Sequence, residues 1–196
     1  MDPKNIIELV KSFGLAMDDV AVFFDLDGVL ADFDAGIKQF GFHPSEELNR
    51  SRKRMTPEYA SAKDAMYAVL ENTDIYLRLP TMPKAKTMWT AFAAAAPLVN
   101  TAVPKFGGGE GSPLWTRAAE HKKAWFRREI EEIADDRIIV TSSSRKAEHV
   151  GRLKRPLSLL IDDRADNVAA WEAKGGAGLL FKNPDDVLAV ADAFRK

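Results

Sequence analysis

Apolar positions fall along this chain in two alternating kinds of run. Short, nearly continuous apolar stretches of strand length cover Ala21 to Phe24, Leu98 to Ala102, Arg137 to Thr141, Pro156 to Ile161 and Ala177 to Phe181. Between them lie stretches in which apolar residues return every third or fourth position. The first is Ile6, Ile7, Leu9, Val10 and Phe13, with Gly14 as its stop. From about Asp34 to Leu79 the pattern is polar and helical. There Thr56-Pro57-Glu58 reads as a helix start, and Met55, Tyr59, Met66, Tyr67, Val69 and Leu70 form an apolar stripe. A further helix is expected over Pro83 to Ala96, ended by Pro97 because the residue before proline is pushed out of the α region. Others are expected over Arg117 to Ala134 (with Ala118, Trp125, Ile130 and Ile133 apolar), Val168 to Lys174 (stopped by Gly175-Gly176), and Pro184 to Phe194, capped by Asn183. Ser142 to Val150 reads as loop and helix. Pro104 to Pro113, with Gly107-Gly108-Gly109 and Gly111, reads as a flexible loop; no Gly-Lys-Ser/Thr follows, so it is not a Walker loop.

Strands thus alternate with helices, and each connection is long enough for a right-handed crossover. The expected fold class is α/β, a Rossmann-like three-layer α/β/α domain with a five-stranded, mainly parallel sheet. Residues 1–32 and 80–196 are expected to form its core, with 1–18 as an N-terminal helical extension. Residues 33–79 are expected to be a small helical cap inserted after the first strand. A length of 196 residues at 46% hydrophobic suffices for one sizeable core.

Charge narrows the partners little. Lys plus Arg (28) nearly balances Asp plus Glu (29), so no global field favours nucleic acid or an anionic membrane. The absence of cysteine excludes disulfides, thiolate metal sites and cysteine nucleophiles. No apolar run approaches a membrane span and no signal-peptide pattern opens the chain, so a cytoplasmic protein is expected. His43, His121 and His149 lack metal-ligand spacing and read as surface or packing residues.

The chemistry concentrates at the end of the first apolar run, Val22-Phe23-Phe24-Asp25-Leu26-Asp27-Gly28-Val29-Leu30-Ala31-Asp32-Phe33. Side chains two apart on a strand share a face, so Asp25 and Asp27 leave the strand end together, where open parallel sheets bind ligands. Two gathered carboxylates repel unless a cation lies between them. Mg²⁺ is the expected cation, since it takes hard oxygen ligands and few from protein. Asp25 then suits a carboxylate nucleophile and Asp27 a proton donor to the leaving group. Polar residues past the other strand ends should converge there: Thr101, Ser142 to Lys146, and Asp162-Asp163. That inventory is what phosphoryl transfer needs.

The string Phe-Asp-Leu-Asp-Gly-Val-Leu-Ala-Asp-Phe resembles the first motif of the haloacid dehalogenase superfamily of phosphohydrolases. Through Ala31-Asp32-Phe33 it looks most like the 5'(3')-deoxyribonucleotidase branch. Leu159-Leu160-Ile161-Asp162-Asp163-Arg164 matches the fourth motif of the same family, and the likeness spans roughly Val22 to Phe181. The resemblance implies Asp25 as nucleophile, and Asp27 as acid and base with its backbone carbonyl on the metal. It implies Thr101 as the phosphate hydroxyl, with Thr141 as a rival, and Ala102 where the nucleotidases usually carry a second hydroxyl. Lys146, in Ser144-Arg145-Lys146, would be the phosphate lysine, with Lys154 as the alternative. Asp163 would ligate Mg²⁺ directly while Asp162 supports the site; Arg164 and Asp166 would be structural or peripheral. Phe33 would line the substrate pocket, and the basic cluster Arg50 to Arg54 could steer an anionic substrate, unless it is a solvated cap face.

The expected activity is a Mg²⁺-dependent phosphomonoesterase working through an aspartyl-phosphate. Its expected partner is a small-molecule phosphate ester, a 5'-(deoxy)nucleotide favoured, with nucleic acid not the first choice and no membrane. The acid at Asp27 argues against the dehalogenase branch, which lacks it. Another small phosphate ester, or a nucleic-acid 3'-phosphate end, is the enzymatic alternative. A non-catalytic phosphate- or nucleotide-binding module that kept the fold is the alternative of another class.

Overall fold

Every residue of Val20-Ala21-Val22-Phe23-Phe24 is buried, as expected of a β-branched and aromatic run covered on both faces. In the computed structural model, which describes residues 1–43 and 55–195, this run is β1 (Val20–Phe24). It is the middle strand of a five-stranded sheet with β2 (Leu98–Ala102), β3 (Ile138–Thr141), β4 (Leu157–Asp162) and β5 (Ala177–Leu180). The order is β3-β2-β1-β4-β5, and every pairing is parallel. The mainly parallel sheet expected from sequence is therefore wholly parallel.

The helices among the described residues are α1 (Pro3–Phe13), α2 (Phe33–Lys38), α3 (Pro57–Leu70), α4 (Ile75–Arg78), α5 (Ala85–Ala91), α6 (Pro113–Glu129), α7 (Ala165–Glu172) and α8 (Pro184–Ala193). Strand alternation divides the core between two layers. Val20, Val22 and Phe24 join the larger apolar cluster with residues of α1, α5, α6 and α8. Ala21 and Phe23 face the other way, where Trp171 of α7 meets Phe23 edge-on at 4.9 Å.

Several boundaries differ from the sequence reading, and caps explain most of them. Helix α6 starts at Pro113, because Ser112 Oγ accepts from Trp115 N at 3.3 Å and proline suits the first helical position. It also ends early, so Ile130 and Ile133 are buried from the following loop. Helix α5 is shorter than Pro83 to Ala96: a 3₁₀ turn over Ala93–Ala95 leads into left-handed Ala96, φ 47°. On α3, Met66 and Leu70 are buried while Tyr59 and Val69 are exposed, which narrows the expected stripe. The glycine-rich loop is pinned rather than free. Phe106 is buried, Gly107 N donates to Glu71 Oε2 at 3.1 Å, and Arg145 holds Glu110 at 3.0 Å.

Residues 30–32 and 80–82 lie side by side. Ala31 pairs antiparallel with Thr81, Asp32 N donates to Pro80 O, and Met82 N donates to Leu30 O, both at 2.8 Å. The two ends of the 33–79 segment are thus side by side. The basic cluster Arg50 to Arg54 lies outside the described residues. No helix among the described residues is long and apolar enough to cross a membrane.

Candidate active site

After β1 the chain continues outward to β2 and β3 on one side, then returns to place β4 and β5 on the other. The crevice between β1 and β4 is thus the point where the strand order reverses, and in such sheets ligands bind there, past the carboxyl ends of the strands. Asp25 follows β1 directly, with its N–H donating to Ile161 O of β4 at 2.9 Å. Asp162 closes β4 and Asp163 follows it. Adjacent parallel strands in register thereby deliver the acids to one spot. Carboxylate oxygens of Asp25, Asp162 and Asp163 all lie within 4.8 Å of one another.

Each acid is held differently. Asp25 Oδ1 accepts from Leu26 N at 2.7 Å, and its Oδ2 is 2.7 Å from Lys146 Nζ. Asp162 is fully buried and fully occupied. It accepts from Lys146 Nζ at 2.7 Å, from Arg164 N at 2.9 Å and from Asn167 Nδ2 at 3.0 Å. Asp163 is different, because its buried Oδ1 has no hydrogen-bond partner among the described residues. Burial, with the charges of Asp25 and Asp162, pushes the Asp163 carboxyl well above the usual carboxylate range. Gly28 makes room for it: at φ 80° this residue adopts the left-handed region, and a Cβ there would sit 2.5 Å from Asp163 Oδ2.

Repelling acids with one orphaned oxygen are what a hard cation would satisfy, so the residues present fit Mg²⁺. Asp25 and Asp163 are the side chains available to it. Asp162, already saturated by Lys146, Asn167 and a backbone N–H, suits support of the site.

Lys146 is 1% exposed and bridges Asp25 and Asp162. Burial alone would lower its pKa; the two carboxylates outweigh that and raise it. Lys154, the alternative, is exposed just before β4, at the end of the sheet opposite Asp162. Thr101 lies on β2 beside the middle strand, and its rival Thr141 ends the edge strand β3. Thr101 is completely buried beneath the site, while Ala102 lines the cavity above it.

One residue of this centre has no counterpart in the sequence reading. Lys122 of α6 is 1% exposed and reaches Asp27 Oδ2 at 2.5 Å and Thr101 Oγ at 3.3 Å. The readable signal was its place on the helix. Trp115, Ala118, Ala119, Trp125 and Phe126 are all buried, and position 122 continues their face. A lysine in that stripe needs a partner for its charge. Asp27 is that partner; burial raises its carboxyl pKa, with Lys122 opposing.

A cavity of about 920 Å³ opens from Asp25, Asp27, Lys146 and Asp163 toward the 33–79 segment. Its apolar wall includes Phe33, Tyr67, Tyr76 and Phe106. Phe33 and Tyr76 stack with centroids 6.3 Å apart and planes 21° apart, and Tyr67 meets Phe106 edge-on at 6.0 Å. Arg164, expected to be structural or peripheral, also lines this cavity, with its buried Nε lacking a hydrogen-bond partner among the described residues.

No protein-family profile matches the chain, and no curated protein matches it. Solved structures do. A haloacid dehalogenase-like family hydrolase from Streptococcus pneumoniae shares 14% identity over 87% of this chain and 90% of its own, with a TM-score of 0.50. An L-2-haloacid dehalogenase from Xanthobacter autotrophicus shares 13% over 81% of this chain and 75% of its own, with a TM-score of 0.45. The first likeness extends over most of both chains, so this chain has the Rossmann-like fold of the haloacid dehalogenase-like hydrolases.

Proposed function

We propose that this protein is a Mg²⁺-dependent phosphomonoesterase that works through an aspartyl-phosphate on Asp25. The observation that carries the reading is the asymmetry of the acids at the β1/β4 crevice. Asp162 is saturated by hydrogen bonds, whereas Asp163 keeps an orphaned oxygen beside Asp25. A folded chain that retains such repulsion gains from it only when a cation and an anionic substrate arrive.

In this reading Asp25 attacks phosphorus in line and Asp27 protonates the departing ester oxygen. Asp27 then takes a proton from the water that hydrolyses the aspartyl-phosphate. Lys146, already on Asp25 at 2.7 Å, holds the charge of the transferring oxygens close to the nucleophile. Asp25, Asp163 and the Asp27 carbonyl would hold Mg²⁺, which when bound supplies charge neutralisation at the phosphoryl oxygens.

A 5'-(deoxy)nucleotide is the favoured substrate. The cavity of about 920 Å³ is of small-molecule size, and its stacked Phe33–Tyr76 pair suits a flat base. Residues 33–79 act as the cap over that substrate, and water exclusion beneath it strengthens the electrostatics.

The test is phosphate release from a panel of nucleotides and sugar phosphates, with and without Mg²⁺, by the parent and Asp25→Asn. Metal-dependent release on nucleotides, abolished in Asp25→Asn, is expected. Turnover confined to sugar phosphates removes the nucleotide assignment and leaves the chemistry; no turnover of any ester favours a binding module.

A further inference from the structure

Lys122 and Lys146 divide the two carboxylates that follow β1 between them. Lys146 Nζ meets Asp25 Oδ2 at 2.7 Å, and Lys122 Nζ meets Asp27 Oδ2 at 2.5 Å. The two ammonium groups come from different elements, the 3₁₀ stretch Ser143–His149 and α6. Lys122 is fixed on its other sides as well. Thr101 Oγ is 3.3 Å away, and the Tyr76 ring centroid lies 4.3 Å from the ammonium. Meanwhile Asp27 Oδ1, the oxygen Lys122 does not touch, is buried with no hydrogen-bond partner among the described residues.

We propose that Lys122 is the positioning residue of Asp27. It clamps Oδ2 and so fixes the plane of the carboxyl group that carries the proton to the ester oxygen and later takes one from water. A carboxyl group turns easily about its terminal torsion, and a charge-assisted hydrogen bond to one oxygen removes that freedom. The inference rests on the aspartyl-phosphate reading and assigns within it a residue that touches neither phosphorus nor the leaving group.

In the first step the Asp25 Oδ–P bond forms, the P–O ester bond breaks, and the proton on the Asp27 carboxyl passes to the departing oxygen. In the second, a water oxygen bonds to phosphorus, its proton returns to the Asp27 carboxylate, and the Asp25 Oδ–P bond breaks to free that side chain. Only a leaving group too basic to depart unprotonated needs the first proton, whereas the second step is common to every ester. In kcat/KM, which covers the steps through leaving-group departure, Lys122 should therefore matter for alkyl esters and scarcely for aryl esters such as p-nitrophenyl phosphate.

The experiment measures kcat and KM for an alkyl phosphate and for p-nitrophenyl phosphate, with the parent, Lys122→Met, Lys122→Gln, Asp27→Asn and the Asp27→Asn/Lys122→Met double variant. Lys122→Met should lower kcat/KM on the alkyl ester by about 10²-fold or more, in line with the range for a positioned acid. Its loss on the aryl ester should stay under ~10-fold, because that step bypasses the acid. Lys122→Gln keeps a donor on Oδ2 and should fall between parent and Met, which also serves if the Met variant fails to fold. The double variant should be no slower than Asp27→Asn, since Lys122 acts through that residue.

Equal losses of kcat/KM on both esters overturn the assignment. So do losses that multiply in the double variant, or an inhibition constant for inorganic phosphate that weakens in step with kcat, which would put Lys122 on the phosphate. Failure of the parent to turn over either ester overturns the aspartyl-phosphate reading itself, and this assignment with it.

Discussion

Lys146 sits between two buried carboxylates, and that placement makes it both a structural and a chemical group. Replacing it by methionine keeps volume but strands Asp25 and Asp162 in the interior. Lys146→Met should lower unfolding free energy by about 3–5 kcal/mol, the range for breaking a buried pair. Urea titration reads this, and phosphate release should fall to background in the same protein. Gly28 is the second informative position. An alanine there combines φ 80° with a Cβ 2.5 Å from Asp163 Oδ2. Gly28→Ala should cost about 1–3 kcal/mol as backbone strain and displace Asp163. The rise in melting temperature expected from the proposed Mg²⁺ should shrink with it, as thermal melts with and without the ion would show.

At this scale Asp25, Asp27, Asp162 and Asp163 were legible because acids directly after apolar runs need a reason. Lys122 was not, because its partner lies 95 residues away in sequence. Periodicity could have flagged the anomaly of a lysine in the α6 stripe; the identity of its partner needed the fold.

At the level of elements, the strands were readable nearly residue for residue and the helices less so. A strand buried on both faces declares itself as a continuous apolar run, as Leu98 to Ala102 does. Helix ends depend on caps, and Ser112-Pro113 set the start of α6 before its periodic face begins. The glycine-rich loop read as flexible because glycine frees the backbone. Its one aromatic, Phe106, is 2% exposed and packs on Tyr67 and Tyr76 instead, fastening the loop to α3 and α4. Phe106→Ala should therefore destabilise by about 3–5 kcal/mol, as large core truncations do. It should raise KM more than it lowers kcat, since the residue shapes the cavity wall. Chemical unfolding and steady-state kinetics together check both parts.

For the molecule as a whole, the acids at the crevice set how stability responds to pH. Folding raises the Asp163 carboxyl pKa through burial and through Asp25 and Asp162. A group raised on folding stabilises below its ordinary range and loses that contribution as pH rises through its folded value. The metal-free protein should accordingly lose stability at Asp163 from about pH 4 upward. The Mg²⁺ proposed at Asp163 would compete with that proton, so its stabilisation should be larger at about pH 8 than at about pH 5. Saturation at ~100 times the dissociation constant corresponds to about 2.7 kcal/mol. Melting curves at the two pH values, with Mg²⁺ and with a chelator, read the difference; an equal shift at both would place the ion elsewhere.

The sequence by itself determined the α/β class, the five strands, and which acids and which lysine past their ends were worth watching, because these are written in local runs of residues that burial on both faces demands. Only the tertiary structure decided that β4 returns to the far side of β1, and with it that Asp25 and Asp163 meet. It alone decided that Asp162 is saturated while Asp163 is not, and that Lys122 answers Asp27. The reason is physical: side-chain periodicity reports what an element buries, whereas the partner of a buried charge is fixed by the order in which strands are laid side by side.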